Sequence, residues 1–218
     1  MITILREIGD HADVVLELEQ LAAADYLAFV YDHAEQARAV QRLLFASGEA
    51  EFSPPGLRVA VMEGRCVGML AWLTGREVGR RRLANAMTLA RARDVLTDGT
   101  RRRMTLASRV LARPRDADSY LARIAVSPSH RGAGIGSQLL QLCLDESWAA
   151  GADRCLLTVA PDNERAIAMY ERCGFRVIGN PRTDDEATGR SFTSLHLAVD
   201  RPSNRGARAP SVAGTERP

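Results

Sequence analysis

The segment Arg131-Gly132-Ala133-Gly134-Ile135-Gly136 places the strongest constraint on the fold of this chain. It stands between an apolar, strand-like run from Leu121 to Val126 and a helix-like run from Ser137 to Ala150. A glycine-rich turn between a strand and a helix exposes backbone N–H groups at the positive end of the helix dipole, which suits a phosphate group. A turn that needs glycine only for its positive φ is the alternative, but three alternating glycines after an arginine favour a phosphate site.

The spacing of these glycines distinguishes between the classes of phosphate ligand that such a turn can bind. The dinucleotide fingerprint is G-x-G-x-x-G, whereas the glycines here run G-x-G-x-G. The P-loop requires a lysine after its last glycine, and this chain contains no lysine. The absence of lysine also excludes a lysine Schiff base to pyridoxal phosphate. The remaining candidate is the pyrophosphate of coenzyme A, held by backbone amides and one side chain ahead of the glycines.

The bulk properties predict one globular domain with an appended tail. A length of 218 residues with 46% apolar residues is enough for one sizeable core. The net charge of +2 does not call for nucleic acid or a membrane, and no apolar run approaches the ~18 residues of a membrane span. The N-terminus lacks a signal-peptide pattern. The cysteines lack metal-ligand or C-x-x-C spacing, so we expect reduced thiols, no metal site and a cytoplasmic protein; they are Cys66, Cys143, Cys155 and Cys173.

The alternation and periodicity of apolar residues predict the order of elements. We expect strands at 2–8, 57–62, 66–73, 120–126, 155–160, 175–178 and 191–199, and helices at 10–24, 34–46, 137–150 and 163–172. The helix at 10–24 should carry an acidic outer face. Residues 53–56 should break the chain, and Gly174 should cap the last helix in the left-handed conformation. Residues 201–218 are predicted to form a disordered C-terminal tail.

Residues 76–113 differ in character from the rest of the chain. Residues 76–115 contain twelve arginines against Glu77, Asp94 and Asp98, which gives a net charge of +9. Apolar residues recur at helical spacing on both sides of residues 97–100, so this segment is predicted to be a helical hairpin. It is either a lid or specificity wall that favours an anionic ligand, or a solvated face or homodimer contact. Nucleic-acid binding is disfavoured because aromatic residues are not interleaved with the arginines.

Two motifs together resemble the GNAT N-acetyltransferase superfamily. Residues 124–128 followed by the glycine segment resemble the acetyl-CoA signature Q/R-x-x-G-x-G/A, at Arg131, Gly134 and Gly136. Residues 163–175 match the second signature, N-x-x-A-x-x-x-Y-x-x-x-G-F, about 30 residues downstream. The close match covers residues 119–179. Residues 1–73 fit only by their pattern of strand, two helices and two strands, and residues 76–113 are an insertion between the third and fourth strands.

This resemblance implies a fold and an activity. The fold is an α/β, GNAT-type domain over residues 1–200 with a mixed, mostly antiparallel central sheet, splayed fourth and fifth strands and flanking helices, plus the inserted helical hairpin. The activity is transfer of an acetyl group from acetyl-CoA, the donor substrate, to a primary amine of a small molecule or of a peptide or protein. The amine would attack directly within a ternary complex.

The resemblance also implies site residues. The backbone of Ile124, Ala125 and Val126 would pair with the pantetheine arm of CoA, and one of their N–H groups would polarise the thioester carbonyl. Asn163 would contact the pantetheine. Tyr170 would be the general acid that protonates the leaving thiolate, although a core aromatic is its alternative role. The pyrophosphate would be held by Arg131, Gly132, Ala133, Gly134, Ile135, Gly136 and Ser137.

The chain departs from the family at the general base. Relatives often place a glutamate on the fourth or fifth strand, at positions that align with Tyr120 and Thr158. Asp116 and Asp118 lie just upstream, where a relay through water and a structural role are equally open. We expect deprotonation through water, or an acceptor amine that is already partly neutral. The alternative function is a catalytically weak, CoA-binding regulatory or interaction module.

Overall fold

The computed structural model describes residues 1–48, 50–53 and 56–202. The predicted break at 53–56 lies partly outside them, because Pro54 and Pro55 are not described, and so does the predicted tail from residue 203 onward. The strands are β1 Ile2–Leu5, β2 Leu57–Met62, β3 Arg65–Thr74, β4 Asp118–Val126, β5 Arg154–Val159, β6 Arg176–Gly179, β7 Arg182–Asp185, β8 Arg190–Thr193 and β9 Leu195–Asp200. The helices are α1 Ala12–Ala22, α2 Ala24–Val30, α3 Ala34–Ala46, α4 Gly75–Arg91, α5 Asp98–Val110, α6 Ile135–Ala149 and α7 Glu164–Arg172.

A seven-stranded sheet forms the centre of the protein. Its strand order is β1-β2-β3-β4-β5-β9-β6. Neighbouring strands are antiparallel except β4 and β5, which are parallel. A parallel pair needs a crossover connection, and α6 provides it. The mixed, mostly antiparallel sheet predicted from the resemblance is therefore confirmed.

Strands β4 and β5 separate halfway along β4. They pair from Asp118 opposite Arg154 to Leu121 opposite Leu157. Beyond that point β4 continues along β3 as far as Val126, while β5 continues along β9 as far as Val159. The last residues of β4 thus present one backbone edge to a gap in the sheet. This is the splay that the family resemblance predicts.

Helices cover both faces of the sheet. On one face, α1 buries Val15 and Leu18 in a cluster with β2, β3 and β4. On the other, α6 buries Ile135, Leu139 and Cys143 in a cluster that also holds Tyr170 of α7. Each helix buries residues at spacings of three and four, as expected of an amphipathic helix on a sheet. The two layers fix where the gap between β4 and β5 opens.

Both helices of the predicted hairpin form, as α4 and α5, but α4 packs on α3, β3 and β4 whereas α5 packs on α2 and β7. Helix α4 begins with a capping box, in which Thr74 Oγ1 accepts the Glu77 N–H and Glu77 Oε2 accepts the Thr74 N–H. Arg81 and Arg103 are nevertheless buried, with 1% and 2% exposure. Arg103 donates to the Val30 carbonyl at 2.9 Å and is ion-paired with Asp32 at 2.8 Å. At these positions the interpretation of the segment as a solvated basic face is wrong, because Arg81 of α4 donates to the Ala50 carbonyl and Arg103 joins α5 to the rest of the fold.

Three parts of the chain differ from the pattern-based prediction. Helix α2 and strand β7 were not predicted. The single strand expected at 191–199 is two strands, because β8 pairs with β7 in a separate small sheet whereas β9 pairs with β5 and β6. Ser194 separates them: its N–H donates to the Pro181 carbonyl and its hydroxyl donates to the Val110 carbonyl at 2.7 Å. Alternating apolar residues do not reveal that a strand changes sheets.

No helix in the described part of the chain is long and apolar enough to cross a lipid bilayer. All four cysteines fall within that part and are free. Among the same residues, no group of three or more His, Cys, Asp or Glu side chains is arranged to hold a metal ion.

Candidate active site

A cavity of about 1120 Å³ occupies the place where β4 and β5 separate. The glycine segment, the second half of β4 and helix α7 line it on one side. Residues of α1, α3, α4 and α5 line it on the other. The cavity therefore brings the predicted phosphate-binding segment and Tyr170 together with the helical hairpin.

The glycine segment has the backbone that its sequence predicts. Gly132 and Gly134 have φ of 87° and 78°, in the left-handed region that glycine adopts without strain. Gly134 directly precedes α6, so the first N–H groups of that helix have no partner inside the helix. A Cβ at Gly136 would lie 3.3 Å from Met169 Sδ, so glycine at this position lets α7 pack closely. Ala133 is the one member of the segment that does not line the cavity.

Arginine side chains surround this end of the cavity. Arg131 is exposed, and its Nε donates to the Val126 carbonyl at 3.3 Å, which joins the glycine segment to the end of β4. Arg165 and Arg172 are also exposed and line the cavity. Their spacing of seven places them on the same face of α7. The sequence analysis missed both, although that spacing is visible in the sequence.

Helix α7 carries Asn163 and Tyr170 to the cavity. Asn163 Oδ1 accepts the N–H of Ala166 at 3.2 Å, so this side chain is the helix N-cap as well as a lining residue. Tyr170 is 5% exposed, and its ring lies 5.7 Å from that of Phe175. Tyr170 can therefore be a core aromatic residue and a residue of the site at the same time. Burial raises the pKa of Tyr170 above the ordinary 10.0, so the phenol stays protonated at neutral pH.

The positions where relatives carry a glutamate have no carboxylate. Tyr120 and Thr158 both line the cavity, and their hydroxyl oxygens are 3.4 Å apart. Burial raises the pKa of Tyr120. The ring of Tyr120 also lies beneath the guanidinium carbon of Arg82, 5.5 Å from the ring centre.

The two aspartates upstream of β4 have structural partners. Asp118 is ion-paired with Arg154 at 2.9 Å and accepts the Arg115 N–H at 2.7 Å. Asp116 is exposed and lies 3.5 Å from Arg76. Neither is among the residues that line the cavity. The surroundings of Asp116 and Asp118 therefore support a structural role for both residues over a proton relay through water.

Four carboxylates of the described residues line the cavity, and none of them was predicted from the sequence as a site residue: Glu19, Asp25, Glu51 and Asp162. Glu19 is 2% exposed, and its Oε1 lies 3.0 Å from Arg123 Nε. Burial raises the pKa of Glu19 and outweighs the lowering effect of Arg123. Glu51 lies 2.8 Å from Arg82 Nε. Asp13 and Glu17 are exposed, as expected of the acidic outer face of α1, whereas Glu19 points inward and pairs with Arg123 of β4.

Comparisons with known proteins agree with this geometry. The family model described as acetyltransferase (GNAT) family matches residues 16–175. The chain is 41% identical over 56 residues to N-alpha-acetyltransferase 30 of Schizosaccharomyces pombe, a match that spans 26% of this chain and 37% of the relative. Its fold resembles an N-acetyltransferase from Staphylococcus aureus Mu50 (TM-score 0.65, 18% identity, covering 90% and 100% of the two chains). It also resembles a Bacillus subtilis acetyltransferase solved with CoA (TM-score 0.52, 16% identity, covering 92% and 98%).

The family model matches well over half of the chain, and the matched range includes both signature segments. The chain belongs to the acetyltransferase (GNAT) family.

Proposed function

We propose that this protein is an acetyl-CoA-dependent N-acetyltransferase that transfers the acetyl group directly to an amine. One observation carries the proposal. A single cavity, at the gap between β4 and β5, is lined by the glycine segment, by Tyr170 and by the buried carboxylate of Glu19. The glycine segment and Tyr170 suit a donor with a pyrophosphate and a long polar arm. The carboxylate suits an amine acceptor.

The glycine segment would hold the donor. The N–H groups at the start of α6 and the guanidinium of Arg131 suit the pyrophosphate. The backbone edge that β4 presents to the gap at Ile124, Ala125 and Val126 suits the amide groups of the pantetheine arm, which would extend the sheet by one strand. One N–H of this edge would donate to the thioester oxygen as negative charge develops there.

The reaction requires two proton transfers. The neutral amine nitrogen attacks the thioester carbonyl carbon, the C–S bond breaks, and the thiolate takes the phenol proton of Tyr170. The proton lost from the amine goes to a base, and the phenol recovers its proton from solvent. The buried Glu19 is our candidate for that base, because its raised pKa brings a carboxylate closer to the pH at which it has to work.

Helices α4 and α5 would form the acceptor side of the site. Arg82 and Asn85 of α4 and Met104 and Ser108 of α5 line the cavity. This position supports the role of a specificity wall that we considered for the arginine-rich segment, and we propose that residues 1–200 act as one catalytic domain that includes this wall. The regulatory CoA-binding module is less favoured, because a buried carboxylate with a raised pKa has no evident use in it.

The test is release of the CoA thiol in the presence of a panel of amines, amino acids and peptides, with mass spectrometry of the products. The proposal predicts release that depends on the amine and matches the N-acetyl product mole for mole. CoA binding with release no faster than hydrolysis, across the whole panel, would instead favour the regulatory module.

A further inference from the structure

The acceptor side of the cavity contains buried polar atoms that lack hydrogen bonds. Among the residues that the structure describes, four lining side chains have buried nitrogen or oxygen atoms without a hydrogen-bond partner in the protein. These atoms are Glu19 Oε2, Gln41 Oε1 and Nε2, Arg82 Nη2 and Asn85 Oδ1. We call these four side chains the polar wall. Each such atom costs free energy unless a ligand or water satisfies it, so the polar wall is built to receive a polar molecule.

The atoms that lack a hydrogen-bond partner differ in charge. Arg82 uses Nε for Glu51 at 2.8 Å and Nη1 for the Ala112 carbonyl at 3.1 Å, which leaves Nη2 as a positively charged donor. Glu19 uses Oε1 for Arg123, which leaves Oε2 as an acceptor on a carboxylate. The two arginines and two glutamates of these pairs sum to zero charge. The polar wall therefore offers one cationic and one anionic contact.

We propose that the acceptor is a small zwitterion, an amine that also carries a carboxylate, and that Glu19 Oε2 receives its ammonium group while Arg82 Nη2 receives its carboxylate. Gln41 and Asn85 complete the polar contacts of its backbone or side chain. This inference rests on the proposed acetyltransferase function and narrows its substrate class to free amino acids and close analogues.

Other acceptor classes match the polar wall less well. A polyamine brings a second cation to Arg82 and leaves Nη2 unsatisfied. A purely anionic ligand meets the carboxylate of Glu19 without a proton to share. The N-terminal residue of a peptide carries an amide where a free amino acid carries its carboxylate, so it loses the charge-assisted bond to Arg82. A neutral zwitterion satisfies both charged atoms at once.

The polar wall and the acid of the proposed reaction line the same cavity. Arg82 stacks over Tyr120, whose hydroxyl lies 3.4 Å from that of Thr158. Tyr170 lines the same cavity as these residues. An amine that is held at Glu19 can give its proton to that carboxylate, attack the thioester carbon and displace the thiolate, which takes its proton from Tyr170.

Matched pairs of acceptors test this inference on the wild-type protein. Each pair is an amino acid and the amine left when its carboxylate is removed: leucine with isopentylamine, ornithine with putrescine, and tyrosine with tyramine. We expect kcat/KM for the amino acid of at least one pair to exceed that for its partner by about 10- to 100-fold, the range of one charge-assisted hydrogen bond.

A variant of Arg82 tests whether this side chain causes the preference for the amino acid over its decarboxylated amine. Arg82→Gln should lower the ratio of the two kcat/KM values by about 10- to 100-fold, mainly through KM for the amino acid. Arg76→Gln is the matched control, because Arg76 is on the same helix but its side chain is 80% exposed and paired with Asp116. If Arg82→Gln fails to fold, the double variant Arg82→Gln/Glu51→Gln removes both members of the ion pair and leaves no unpaired charge behind.

The outcomes separate this inference from the function on which it rests. Equal or faster acetylation of the decarboxylated amines in every pair overturns the zwitterion and leaves the acetyltransferase intact. An amino-acid preference that persists in the Arg82 variants overturns the role of Arg82 Nη2. Absence of amine-dependent thiol release with every acceptor overturns the proposed function, and the inference with it.

Discussion

Leu121 of β4 lies opposite Leu157 of β5, and this is the last residue pair that joins the two strands. Both side chains are buried in the cluster under α6, so the point of separation is fixed by packing. Past this pair the sheet opens, and the cavity with the glycine segment and Tyr170 lies at the opening. The chemistry that we propose depends on this one break in the sheet.

Removing the phenol of Tyr170 should slow the chemical step. Tyr170→Phe keeps the ring against Phe175 but lacks the proton donor, so we expect kcat to fall by about 100-fold with little change in the affinity for CoA. Steady-state kinetics and calorimetric titration with CoA measure the two effects. The loss should shrink with an acetyl thioester of a more acidic thiol, because that leaving group needs less protonation. A loss of equal size with both thioesters would mean that Tyr170 only supports the packing.

A side chain at Gly134 should weaken the grip on the pyrophosphate. Gly134 has φ of 78°, where a Cβ is strained by about 1–2 kcal/mol, and it directly precedes the N–H groups of α6. We expect Gly134→Ala to raise the Kd for CoA by about tenfold or more and to leave the weaker binding of pantetheine, which lacks the pyrophosphate, unchanged.

Gly151 provides a matched control for this change. It has φ of 84°, follows the other end of α6 and does not line the cavity. Gly151→Ala should therefore lower thermal stability by a comparable amount without a change in the Kd for CoA. Equal losses of CoA affinity in the two variants would show that strain in α6, and not the phosphate contact, is responsible.

The pH dependence of the rate should report Glu19. Burial raises its pKa above the ordinary 4.5, so the carboxylate gains a proton, and the rate falls, at a higher pH than for an exposed glutamate. Because burial likewise raises the pKa of Tyr170 above 10.0, the acid should stay protonated throughout the neutral range. We expect Glu19→Gln to lower kcat by about 100-fold and to abolish the acidic limb of the pH–rate profile.

Glu17 is the control for Glu19, since it lies on the same helix and is exposed. Glu17→Gln should change neither kcat nor the acidic limb of the pH–rate profile. An acidic limb that survives in Glu19→Gln would assign the proton to water or to the free amine, as we expected from the sequence.

The buried Arg103 should be important for stability. It is 2% exposed and contacts Val30 and Asp32, so its removal leaves the Val30 carbonyl without this donor and Asp32 without one of its ion pairs. We expect Arg103→Met to lower the free energy of unfolding by about 3 kcal/mol. Urea unfolding measures this, with the exposed Arg109→Met on the same helix as control. A change below about 0.5 kcal/mol would show that the contacts of Arg103 do not hold α5 in place.

The sequence predicts local features of the site well. The glycine segment, the start of α6 and the left-handed Gly174 after α7 follow from glycine geometry and capping chemistry, both of which act over a few residues. Glu19 and Glu51 escaped prediction because their partners, Arg123 and Arg82, lie 104 and 31 residues away in the chain. Periodicity placed the acids of α1 outside, and only the tertiary fold shows that Glu19 points inward.

The most direct measurement is a structure of the protein with CoA bound. We expect the pantetheine arm to lie in the gap between β4 and β5, with its amides paired to the backbone of Ile124 to Val126. Its sulfur should lie within hydrogen-bond reach of the Tyr170 hydroxyl. CoA bound outside this gap, or a thiol directed away from Tyr170, would contradict this expectation.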